Sequence, residues 1–217
     1  MLLENRQINL LSVVIVGDFN PVIVQPFWLA SKKLIKEEEA TNAKVELIHN
    51  EFVRFQIGDW LHIQVTRERL EVKTAQEPYF DAVRDLLVSI FSYLKETPLK
   101  AFGVNHTRHY SIEEKQYYDL GDNIAPLSNW SSLFKKPEVL SVEILQKGET
   151  NRPGGEIRLK IQPSDALKKR FSFMTHINDH SVVNDARVLT SLLKDNWQST
   201  FELANNVEQT MEKLISR

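Results

Sequence analysis

Apolar positions along this chain change their spacing in a fixed order, and the order occurs twice. Leu10 to Val16 is a continuous, largely β-branched apolar run, which predicts a buried strand over residues 8–16. Gly17-Asp18-Phe19-Asn20-Pro21 ends it, because Pro cannot continue a ladder and Gly permits unusual backbone angles. Pro26 stands where the first turn of a helix tolerates proline, so Phe27 to Lys36 is predicted helical, with Glu37-Glu38-Glu39 at its solvated end or in the next loop. Alternation follows: Val45 and Leu47, then Val53, Phe55 and Ile57, then Leu61, Ile63 and Val65, then Leu70 and Val72. A period of two marks strands with one buried face and one wet face. Gly58-Asp59 is a hairpin signal between two of them, while 45–47 and 53–57 can be read as one bent strand or two. A helix from Pro78 to Glu96 closes the half, its stripe of Phe80, Val83, Leu87, Ile90 and Leu94 spaced three and four apart.

The second half repeats the order. Leu99 to Val104 is strand-like, and Gly103-Val104-Asn105-His106-Thr107 echoes the first pentad in place and in its relation to a following helix. Ser111 with Glu114 forms a capping box that starts this helix at Ile112, and Gly121 is placed to stop it. Residues 122–137 form an extra loop with Pro126, Trp130, Phe134 and Pro137. Strands are predicted at Val139–Leu145, Glu156–Gln162 and Phe171–Ile177, with a mobile hairpin loop over 148–155. A last helix runs from about Asp185 to Ser216, about 45 Å long, with the stripe Leu189, Leu193, Trp197, Phe201, Ala204, Val207, Met211, Leu214. The chain thus reads as a β-α-β-β-β-α unit written in tandem over about 1–97 and 98–217, within a single domain. Strands buried on one face predict an α+β fold: one curved antiparallel sheet with long helices packed on one face.

Composition narrows the chemistry more than the fold. The 217 residues are 42% hydrophobic and 26% charged, which excludes fibrous and disordered classes. A net charge of −2 with both signs interspersed gives no general attraction to nucleic acid or an acidic membrane. With no cysteine, disulfides, thiolate nucleophiles and Cys-ligated metals are excluded. No cofactor is expected. The first apolar run is too short to span a bilayer and has no small-residue cleavage site after it, so a cytoplasmic protein is expected.

The duplicated order of elements resembles the saddle of TATA-binding-protein-like folds, and a long final helix on a curved sheet is similar to helix-grip folds. Shorter stretches resemble a family of bacterial proteins with no assigned activity: Gly17-Asp18-Phe19-Asn20-Pro21, Phe27-Trp28-Leu29, Ala101-Phe102-Gly103-Val104-Asn105, Leu120-Gly121-Asp122, Ala125-Pro126 with Trp130, and Asn178-Asp179-His180. That resemblance implies a bacterial cytosolic protein and supplies no reaction.

Candidate chemistry is sparse. His106, His109, His176 and His180 lie in the second half, and a metal site would need about three such groups on one ion. His106 and His109 fall on opposite faces of an extended strand, while His176 and His180 share a face about 13 Å apart. Paired His-x-Ser/Thr strands are not formed, since Thr107 and Ser181 directly follow their histidines. Neither phosphate-binding glycine motif nor a Gly-x-Ser-x-Gly elbow occurs. No catalytic or metal-ligating residue is assigned.

Surfaces are the better candidates. The wet sheet face is expected to present Arg54, Trp60, His62, Lys73, Arg158, Lys160, His176 and Asn178, a mixture suited to phosphate contacts with one stacking ring. Phe27, Trp28, Trp130, Leu133 and Phe134 are candidate protein contacts, because aromatic residues in a Pro-bounded loop are costly to expose without a partner. The final helix could meet a second copy and form a homodimer. The expectation is a non-enzymatic binding or regulatory protein acting through protein contacts. The alternatives are a nucleic-acid or nucleotide binder using the open sheet face, or a small-molecule carrier with a cavity between sheet and helices.

Overall fold

Two long strands, β1 (Arg6–Gly17) and β6 (Leu99–Ser111), lie antiparallel at the centre of the fold, and the other elements are arranged outward from them. The computed structural model of the chain describes residues 2–148 and 152–216. Outward from β1 run β5 (Arg69–Thr74), β4 (Leu61–Thr66), β3 (Phe52–Ile57) and β2 (Lys44–His49). Outward from β6 run β9 (Ser172–Val182), β8 (Glu156–Pro163) and β7 (Val142–Lys147). The result is one nine-stranded antiparallel sheet in an α+β fold. The helices are α1 (Pro26–Ser31), α2 (Glu37–Thr41), α3 (Phe80–Tyr93), α4 (Glu114–Ile124), α5 (Ala186–Asp195) and α6 (Trp197–Ile215).

Period-two patterning sets which face the helices cover. Leu11, Val13, Ile15, Val53, Phe55, Ile57, Leu61, Ile63, Val65, Leu70 and Val72 are buried against Val83, Leu87 and Ile90 of α3 and Leu189 and Leu193 of α5. A second, smaller cluster lies under the other wing, where Tyr110, Ile161 and Phe173 meet Leu120 of α4 and Met211 and Ile215 of α6. Buried side chains of this size each contribute about 1.5–3 kcal/mol by leaving water, so the first wing holds most of the apolar stabilisation.

Several boundaries differ from those the sequence predicts. The second pentad is not a turn: Gly103 to Thr107 lies in the middle of β6, whose 13 residues pair with β1 on one side and β9 on the other. Its polar residues stay in the strand because each finds a partner there, so tertiary pairing overrides local propensity. Gly103 serves close approach and not a turn. A Cβ there would sit 2.9 Å from Asn178 Nδ2, in the space that amide uses. The expected first helix over 27–36 ends at Ser31 as α1, and Glu37, Glu38 and Glu39, expected at its solvated end or in a loop, form the first turn of a separate helix, α2. The bent-or-double strand is two strands, β2 and β3, so four strands follow the helices of the first half against three in the second.

The capping box is one of Glu113 with Gln116, and α4 runs through Gly121 to Ile124. The final helix is broken at Asn196, whose side-chain amide donates to Leu192 O 3.2 Å away and competes with the helical ladder. The break lets α5 pack on the first cluster and α6 on the second. β7 begins at Val142, leaving residues 139–141 outside the strand. Of the predicted hairpin loop over 148–155, residues 149–151 lie outside the described residues. Among the described residues no helix is long and apolar enough to cross a membrane.

Candidate functional site

Strand pairing puts a row of side chains across the uncovered face of the sheet. From β3 to β8 the row reads Gln56, His62, Lys73, Ser12, Asn105, Asn178, Arg158, each opposite the next. Beside it, Thr107, His176, Lys160 and Glu143 form a second row. The middle is knitted together: Asn178 Nδ2 donates to Asn105 Oδ1 at 2.5 Å, and Asn105 Nδ2 donates to Ser12 O at 3.3 Å. Thr107 Oγ1 lies 2.8 Å from His176 Nδ1.

The predicted face residues are therefore nearly all present on one surface, with Trp60 the exception. Trp60 sits in the β3–β4 turn, stacked on Tyr79 at 4.6 Å between ring centres and packed against the first core cluster. Ser12, Asn105 and Thr107 are the floor residues that sequence reasoning missed. Alternation from Ser12 would have found the first, but ending the predicted strand at Val104 hid the other two.

Charge on this face is matched locally. Arg54 pairs with Glu46 at 3.5 Å and bonds Gln64 Oε1 at 2.7 Å; Arg69 pairs with Glu71, Lys160 with Glu143, and Arg158 with Glu156. Burial, then Lys73, lowers the His62 pKa; burial, then Lys160, lowers that of His176. Both imidazoles are thus neutral at pH 7. With Arg54, Arg69, Arg158 and Lys160 each beside a carboxylate, and Lys73 the row's remaining cation, the face has little uncompensated positive charge for phosphate.

Beneath the sheet a polar seam separates the two apolar clusters. Arg108, buried, donates to Glu208 Oε2 at 2.7 Å, Ala204 O at 3.0 Å and Asn205 Oδ1 at 2.8 Å. Arg6 joins the same carboxylate oxygen at 3.1 Å and reaches Glu77 at 2.8 Å. This Arg-Glu-Arg group ties α6 to both central strands. Its neighbour His106 contacts Thr200 Oγ1 at 3.0 Å, and Thr200 in turn donates to Trp197 O, so His106 carries its proton on Nε2. Burial, with Arg108 as the second cause, lowers its pKa to about 3. His109 lies on the other face, 2.8 Å from Ser164 Oγ. Among the described residues no three His, Asp or Glu side chains converge to hold a metal ion.

The predicted contact residues divide into two groups. Trp28 packs edge-on to Tyr93 beside the first core, while Phe27 next to it is exposed. Trp130, Leu133 and Phe134 all point to solvent, Leu133 at 71% exposure and Phe134 at 59%. Their backbone is nonetheless held in place. Leu133 and Phe134 N–H groups both donate to Trp130 O, and Leu127 and Val139 close over Gly121 at the loop's two ends. Leu140 is 84% exposed, and Ile144 and Leu145 of β7 extend the same stretch along the sheet edge. Behind β7 lies an apolar groove of about 490 Å³, lined by Ile144, Leu159, Ile124, Leu203, Val207 and Leu214 among others. Val207 and Leu214, expected at a helix-mediated dimer, thus face this groove, and Met211 is buried in the chain's own core.

Compared with known proteins, the chain matches no protein-family model and no curated protein.

Proposed function

We propose that this protein is a non-enzymatic binding protein that recognises another polypeptide along the rim of its second half, from Trp130 to Leu145. One observation carries the reading: six large apolar side chains within 16 residues are exposed, three of them on a turn closed by hydrogen bonds to Trp130 O and two on strand β7. A rim held in its exposed shape loses little entropy on binding, which favours a docking surface over a collapsed loop. Aromatic and aliphatic anchors of this kind supply most of the energy at protein interfaces. The matched charges of the open sheet face favour this reading over one based on nucleic acid.

The test compares the wild-type chain with the Leu133→Glu/Phe134→Glu variant as bait. A partner retained by the first and lost by the second, with melting temperature unchanged, supports the proposal. The same proteins retained by both overturn it. The groove behind β7 favours a second reading, a carrier of a small apolar ligand, since its volume lies in the range of ligand sites. Native mass spectrometry showing a bound small molecule, displaced by Val207→Trp, would support that reading.

A further inference from the structure

We infer that two copies of this chain join through β7, edge to edge and antiparallel, so that their sheets run on as one. The inference rests on the rim being a polypeptide-binding surface and names one polypeptide that binds there. β7 is the last strand on its side of the sheet and is exposed from Glu143 to Lys147. Gly148 N–H donates to Gly155 O, and bonded pairs alternate along an antiparallel ladder. Val142, Ile144 and Gln146 therefore turn their backbone polar groups towards β8, and Glu143, Leu145 and Lys147 turn theirs off the edge.

A two-fold axis through Leu145 sets Leu145 opposite itself and Glu143 opposite Lys147 of the second copy, twice over. That register keeps each open-face residue opposite another, as a continuing sheet requires, and adds about six backbone hydrogen bonds. Sliding it by two residues either way separates Glu143 from Lys147 and sets one of them against Leu145. Charge complementarity thus selects one register and one partner, an identical strand.

The far edge of the sheet is built differently. The β2–β3 register shifts between Val45 and Leu47, a bulge that bends the strand and breaks its row of outward groups. The β7–β8 register runs from Val142 to Lys147 without a shift. One usable edge gives a closed pair, whereas β7 adding to β2 would give an open filament.

Sedimentation equilibrium on the full chain at rising concentration tests this. The wild type forms dimers; Glu143→Lys weakens them about tenfold or more, because two attractive pairs become two repulsive ones. Glu143→Lys/Lys147→Glu restores them. With no native cysteine, Leu145→Cys places one thiol on the axis, and a short bismaleimide joins two such chains but not two carrying Leu47→Cys on β2. A wild type that stays monomeric, a dimer indifferent to Glu143→Lys, or crosslinking through Leu47→Cys instead would overturn the pairing. A monomer that still loses a partner on Leu133→Glu/Phe134→Glu overturns the pairing alone and leaves the rim reading standing.

Discussion

His106 makes the fold acid-sensitive in a way that one substitution should remove. The unfolded chain takes up a proton on this imidazole as pH falls below its ordinary 6.5, whereas the folded chain, with the ring buried beside Arg108, resists until about 3. Stability from this residue is therefore complete above pH 6.5 and is lost as pH falls from there towards 3. At pH 5 the loss comes to about 2 kcal/mol relative to pH 8. For a chain of this size that is roughly 4–8 °C in melting temperature. His62, His109 and His176 are also lowered by burial and act in the same direction, and buried Asp179 acts in the opposite one. A difference between two proteins cancels them. The assay is thermal unfolding at pH 8 and pH 5 for the wild type and His106→Gln, whose amide can still donate to Thr200. The wild type should lose several degrees more than the variant on acidification. Equal losses would mean that His106 titrates normally when folded, and that the seam under β6 is wetter than the structure has it.

Other perturbations have distinct signatures. Leu193→Asp puts a charge where α5 meets the first core and should abolish the folding transition, the loss exceeding about 5 kcal/mol. Glu208→Ala leaves the buried Arg108 guanidinium without its carboxylate, while Arg6 keeps Glu77, and should cost about 3–5 kcal/mol in urea unfolding; Arg108→Met/Glu208→Leu should recover much of that. Gly103→Val forces the Asn178 amide off Asn105 and should cost about 1–2 kcal/mol with the fold kept. Trp130→Ala, at an exposed ring, should change stability by less than about 0.5 kcal/mol; a large fall in melting temperature would place Trp130 in the core and remove it from the rim.

The α+β class, the strands from Phe52 to Thr74 and helix α3 were all legible, because clean periods of two and of 3.6 are written into those stretches. β6 was not. Asn105, His106, Thr107, Arg108 and His109 lie beyond the apolar run that ends at Val104, and the neighbours that the fold supplies carry the strand through them: Ser12 and Asn178 on one face, Thr200 and Glu208 on the other. The same cause hid the floor of the open face. The break at Asn196 was invisible because the apolar stripe passes through it without losing phase. Trp130, Leu133 and Phe134 stood out as candidates through their cost in water. The exposed continuation through Leu140, Ile144 and Leu145 was masked by its resemblance to an ordinary buried strand, and only its place at the sheet edge distinguishes it.

Photocrosslinking from the rim asks most directly whether a polypeptide docks there. The chain lacks cysteine, so Leu133→Cys and Leu47→Cys each accept a single thiol-reactive benzophenone, one on the rim and one on the far edge. Illuminated in extract from its own cells, the Leu133→Cys protein should yield a discrete protein adduct that the Leu47→Cys protein does not. No adduct from position 133, or the same adducts from both positions, would contradict the account.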